Sequence, residues 1–131
     1  MVRGYIFSRR FMDERVPQHV QNLVLRDYCQ KHSLEYLLSA VEYEMPNCHL
    51  ILHQVLEELS RLDGIALYSL FQLPEYKKER ESVIHQVLEY KKTLHFAVEG
   101  LQMKNETEYE RIETLWQVRQ TLPLCLNYNK V

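Results

Sequence analysis

The sequence predicts an α/β fold, with one domain spanning residues 1–131. It has an open, mainly parallel four-stranded sheet in the order 2-1-3-4 and helices on both faces. Three observations predict it. Short β-rich runs alternate with longer segments of helical period four times along the chain, and parallel neighbours need a right-handed crossover that a helix supplies. Residues 65–71, IALYSLF, form a near-continuous apolar run, the pattern of a strand buried on both faces of a parallel sheet. The chain of 131 residues is 46% hydrophobic, enough for one substantial core and no more.

Taken in order, residues 3–8 (RGYIFS) read as the first strand and 17–32 as the first helix. Val20, Leu23, Val24 and Tyr28 share one face of that helix, and Pro17 suits its first turn, where a missing N–H costs nothing. Residues 35–43 (EYLLSAVEY) make the second strand. Pro46 and Asn47 announce the second helix, with Asn47 as N-cap and Leu52, Val55, Leu56, Leu59 and Leu62 as its stripe. Asp63-Gly64 punctuates before strand 3 at 65–71, and Pro74 closes it. A third helix over about 76–91 turns Val83, Ile84, Val87 and Leu88 inward. Strand 4 is TLHFAV at 93–98, ended by Glu99-Gly100. The last helix covers about 106–119 with Tyr109, Ile112, Leu115 and Trp116 on the core side, and TLPLCLNYNKV docks as an irregular or short edge segment.

Composition narrows the function classes. A net charge of −2 and a pI near 6.3 give no global field for nucleic acid or an anionic membrane. No stretch approaches the roughly 20 apolar residues of a bilayer span, and the expectation is a soluble, cytoplasmic protein. Cys29, Cys48 and Cys125 are odd in number and form no CxxC, which reads as reduced thiols rather than a disulfide framework or zinc knuckle. Phe71, Tyr76, Tyr90 and the LPLCLNY tail exceed the needs of a small core, which predicts a homodimer or higher homo-oligomer.

In such sheets ligands bind outside the carboxyl ends of the strands, beside helix N-termini that favour anions. Strand 1 delivers Ser8, Arg9 and Arg10 to that rim. Strand 2 delivers Glu42, Tyr43 and Glu44, with Asn47 beyond; strand 3 delivers Ser69 and Gln72, and strand 4 delivers Glu99. Arg9 and Arg10 are the anion-binding candidates; their alternative is ion pairing with Glu14, Glu42 or Glu44, which is worth little at a surface. Ser8 is placed as a nucleophile or, with no base beside it, a hydrogen-bonding group. Glu42, Glu99 and His19 are the proton-transfer candidates. Tyr43, Asn47, Ser69 and Gln72 are placed to orient a polyhydroxylated ligand. His49 and His53 stand four apart in HLILH but lack the HExxH glutamate and a third ligand, so no metal site is assigned. His95, alternating with Leu94 and Phe96, reads as a hydrogen-bonded core histidine.

Two resemblances follow from particular residues. GYIFS, the helix ending in RDYCQKH, DGIALYSLF and the element order resemble the catalytic domain of resolvase-type serine recombinases. In that family a serine after strand 1 attacks DNA phosphate with the help of several arginines. Ser8 falls near that position, but LFQLPE after strand 3 offers no arginine, and a long oligomerisation helix and a DNA-binding domain are not evident. The likeness implies the fold and not the recombination. RGYIFSRRFMDERVPQHVQN, YLLSAVEYEMPNC, DGIALYSLFQLP, LHFAVEGL and WQVRQTLPLC are similar to a bacterial family named for sporadic carbohydrate gene clusters. That similarity implies a role in making or modifying a surface glycan, with no reaction attached.

Together these give an expected function: an intracellular protein of surface-carbohydrate biosynthesis that binds a phosphorylated or nucleotide-activated sugar at the strand ends. No cofactor, nucleic-acid partner or membrane partner is expected. The alternative is a non-catalytic interaction or regulatory subunit of a glycan-biosynthesis enzyme.

Overall fold

The computed structural model describes residues 1–11 and 15–129, without the side chains of 122–129. Its order is β1 (Val2–Phe7), α1 (Gln18–Lys31), β2 (Tyr36–Glu42), α2 (Leu50–Glu57), β3 (Gly64–Leu67), α3 (Lys77–Glu89), β4 (Thr93–Phe96), β5 (Leu101–Met103) and α4 (Glu106–Asn129). The sheet runs β2-β1-β3-β4-β5. The first four strands are parallel in the expected 2-1-3-4 order. The fifth was not anticipated: Leu101–Met103 folds back antiparallel on β4. The reversal is made by residues 97–100, where Gly100 takes a left-handed φ of 64° that glycine adopts without penalty.

Strand alternation divides the core. Val2, Ile6 and Ala66 face α1 and pack with Leu25, Tyr28 and Cys29. Tyr5, Phe7, Ile65, Leu67, Leu94 and Phe96 face the opposite way, onto α2, α3 and α4. Arg80, fully buried, ties that side together. It pairs with Glu113 through two hydrogen bonds, donates to the carbonyls of Pro74 and Glu75, and lies 4.5 Å over the Trp116 ring.

Several boundaries differ from expectation for local reasons. The apolar face of α1 is turned by one position: Gln21, Leu25, Tyr28 and Cys29 are buried, while Leu23 is 61% exposed. Gln21 fixes that phase by bonding the main chain of Phe7. Pro17 precedes the helix rather than lying in its first turn. Asn47 does not cap α2; it sits in the preceding loop with φ 59°, and the helix starts at Leu50. Strand 3 ends at Leu67, and Leu70–Gln72 forms a 3₁₀ turn capped by Ser69. The second helix stops at Glu57, with a separate 3₁₀ turn at Leu59–Arg61. The tail is not irregular, since α4 continues as one 24-residue helix to Asn129. Glu14 and the side chains of the LPLCLNY tail, named above as an ion-pair partner and an interface, lie outside the described residues. Phe71 stacks edge-on against Trp116 and belongs to the core. No helix among the described residues is long and apolar enough to cross a membrane.

Candidate functional site

The expected rim exists as a belt of hydrogen bonds across the carboxyl ends of β1 to β4. Glu42, the last residue of β2, is 1% exposed. Its Oε1 accepts from the Tyr5 hydroxyl at 2.8 Å and the Leu52 amide at 3.2 Å. Its Oε2 accepts from the amides of Tyr43 and Ile51, both at 3.1 Å, with the Cys48 thiol at 3.7 Å. Two of these amides are in the first turn of α2, where a carboxylate both satisfies free donors and meets the positive end of the helix. Burial, then Glu42, pushes the Tyr5 hydroxyl far above its ordinary range, so that it remains a donor.

Arg9 is engaged in the same corner. Its Nη1 donates to the carbonyls of Tyr43 (2.9 Å), Met45 (3.2 Å) and Cys48 (2.7 Å), and the guanidinium lies 4.1 Å over the Phe7 ring. The arginine thereby braces the 43–48 loop. Its Nη2 lies 3.4 Å from Nε2 of buried His49. Arginine only donates, so Nε2 accepts and the ring proton resides on Nδ1. That nitrogen has no hydrogen-bond partner among the described residues and lies 4.0 Å from the Glu79 carboxylate. Burial lowers the His49 pKa, Arg9 lowers it further, and Glu79 opposes both. His53 places Nε2 3.5 Å from the same Glu79 oxygen. A metal on Nδ1 would need the ring proton on Nε2, facing the arginine, whereas a metal-bound histidine offers its second N–H to an acceptor. The His49–His53 pair therefore suits Glu79 rather than a cation.

The second half of the belt centres on Gln21. Its Oε1 accepts from the Phe7 amide (3.0 Å) and from Gln72 Nε2 (2.9 Å), and its Nε2 donates to the carbonyls of Phe7 (2.7 Å) and Val16 (2.8 Å). Ser69 Oγ donates to Glu99 Oε2 at 2.8 Å, and the Leu70 amide donates to Glu99 Oε1 at 2.9 Å. Gln72 closes the capping box with Ser69. These contacts bring Ser69, Gln72 and Glu99 together, but as buried or half-buried links between strand ends.

The groups left facing outward are fewer. Ser8 is half-buried, and its Oγ donates to the main-chain oxygen of Glu42 at 3.1 Å rather than to the carboxylate. Gln21 holds the first turn of α1 against the end of β1, beside Ser8, and no side chain among the described residues caps that helix. Arg10, Tyr43, Asn47 and His19 are exposed. Gln21 and Glu79 escaped the sequence reading, which considered His49 only with His53 as a metal pair. Of the two that escaped, Gln21 alone left a trace, as a polar residue in a 21/25/28/29 helical stripe that is otherwise Leu, Tyr and Cys.

In sequence, no family model and no curated protein matches the chain. In structure it is similar to the N-terminal catalytic domain of TP901-1 integrase, with a TM-score of 0.66, 11% identity, and coverage of 95% of this chain and 98% of that one. It is also similar to a resolvase family site-specific recombinase from Streptococcus pneumoniae, with a TM-score of 0.63 and 9% identity over 100% of both chains. The chain has the resolvase-like α/β fold of these recombinase domains.

Proposed function

We propose that the protein binds a phosphorylated or nucleotide-activated sugar of bacterial surface-carbohydrate biosynthesis at the carboxyl ends of the strands. The phosphate is received by Ser8, Arg10 and the uncapped first turn of α1, and the sugar lies toward Tyr43 and Asn47. Arg9 serves this site indirectly, by bracing the loop that carries Tyr43 and Asn47. The observation that carries the reading is Ser8, half-exposed at the end of β1 beside that first turn and two residues before an exposed arginine. Free amides and a guanidinium are what an anion requires. The carbohydrate assignment rests on the sequence blocks that resemble the sporadic carbohydrate cluster family.

Calorimetry with sugar phosphates, nucleotide sugars and inorganic phosphate tests the proposal. A charge-assisted contact contributes about 1.5–3 kcal/mol, so Arg10→Ala weakens binding ~10-fold or more. Unchanged affinity in Arg10→Ala, or no binding by the native protein, overturns it. Salt-sensitive binding of duplex DNA in place of sugar phosphates returns the protein to the chemistry of its fold relatives.

A second reading, a non-catalytic partner of a biosynthetic enzyme, is favoured by one observation. Glu42 and Glu99 are both engaged by internal donors, which suits a bracing role better than proton transfer. Turnover of a candidate sugar by the purified protein would eliminate that reading.

A further inference from the structure

We propose that the outer edge of β2 is a docking surface for a second copy of this chain, with Leu38 of each copy seated in a groove of the other. Among the described residues β2 ends the sheet, paired only with β1, and its sequence YLLSAVE contains no Lys, Arg or Pro, the residues that ordinarily guard an open edge. A β-bulge is the other common guard, and one is present: the register with β1 slips between Arg3 and Tyr5. Here, however, the slip falls at Leu38 and Ser39, and Leu38 projects 74% exposed. The charge nearest that point, Arg3, is engaged by the Leu38 carbonyl and by Glu58, and the side chain that projects is a leucine.

Leu38 rims a groove of about 500 Å³ between β2 and α2, lined by Ala40, Ile51 and Val55 together with Arg3, Gln54, Glu57 and Glu58. The small side chain of Ala40 leaves the room. Knob and hole thus lie side by side on one patch, the arrangement a twofold axis makes reciprocal. Val41 within the strand, and Tyr43, Met45 and Leu50 beyond it, add exposed apolar surface beside an edge whose Leu38 carbonyl accepts from Arg3. Charge selects the direction of pairing. Acidic residues stand toward both ends, at Glu35 and Glu44, so antiparallel pairing about Ser39 sets Glu35 against the second copy's Tyr43 and Glu44 against its Leu34. Parallel pairing in register would set each glutamate against its own copy, and like charges directly opposite are destabilising. The surface lies along the side of the sheet and borders the ligand site proposed above at Tyr43, but association is measured without ligand, so either proposal can fail alone.

Sedimentation velocity over a concentration series up to ~100 μM tests this, the range in which a micromolar dimer dissociates. The native chain is expected to dimerise. Leu38→Lys raises the dimer dissociation constant ~10-fold or more, because the twofold removes two buried leucines at once. Leu38→Met and the distant Tyr90→Lys leave it unchanged. Hydrogen exchange on the native protein gives an arm that needs no variant: amides of residues 37–41 slow as concentration rises. A native monomer throughout the series, a Leu38→Lys dimer of undiminished affinity, or concentration-independent exchange in β2 overturns the proposal.

Discussion

Replacing Glu42 separates bracing from catalysis. In Glu42→Ala the Tyr5 hydroxyl and the Leu52 amide, both buried, lose their acceptor. Each buried donor left unsatisfied costs about 1–3 kcal/mol. The amides of Tyr43 and Ile51 lie nearer the surface and can turn to water, but α2 still loses its N-terminal acceptor, worth about 1 kcal/mol. The sum is ~5 kcal/mol, a large part of the 5–15 kcal/mol that holds a domain of this size together. With a urea slope of ~2 kcal/mol/M the unfolding midpoint falls by roughly 2.5 M. Glu42→Gln keeps the volume and one acceptor oxygen while aiming an NH₂ at backbone donors, and loses about half as much. Urea unfolding followed by circular dichroism measures both variants. A loss below ~1 kcal/mol in Glu42→Ala, the size of an ordinary surface substitution, would refute the reasoning and return this carboxylate to the proton-transfer candidates.

Two further outcomes follow from buried contacts. Burial, with His32 and Lys104 adding to it, brings the His95 pKa down from 6.5 to about 4. Between those values the unfolded chain binds more protons, so stability is fully present above pH 6.5 and falls toward pH 4, by at most ~3 kcal/mol from this group. His95→Gln, which keeps an acceptor for the Tyr28 hydroxyl now 2.9 Å from Nδ1, should flatten that slope in urea midpoints measured across the window; an unaltered slope assigns it elsewhere. At Gly64 an added Cβ would collide with the main-chain carbonyl of Thr93 on the paired strand. Gly64→Ala should cost more than ~2 kcal/mol by thermal unfolding, and a cost below ~0.5 kcal/mol would mean that β3 and β4 shift apart easily.

The alternation of apolar runs with helical stripes determined by itself that this chain makes a mainly parallel sheet sandwiched by helices, though not the antiparallel fifth strand. Hydrophobic period and the crossover rule are local or nearly so, and they placed Ser8, Glu42, Ser69, Gln72 and Glu99 at one rim. What those residues do there was decided by tertiary structure. Arg9 reads from sequence as an anion ligand, yet its Nη1 meets the carbonyls of Tyr43, Met45 and Cys48, partners 34 to 39 residues away whose orientation no spacing encodes. Glu42 reads as a candidate acid, yet the amides of α2 arrive to surround it. The phase of α1 turned by one position because Gln21 gains more from Phe7 and Gln72 than the apolar stripe gains from burying Leu23. A side chain's direction is set by whichever distant donors and acceptors the fold brings within about 3 Å, and that information is contained in the packed chain rather than in any window of its sequence.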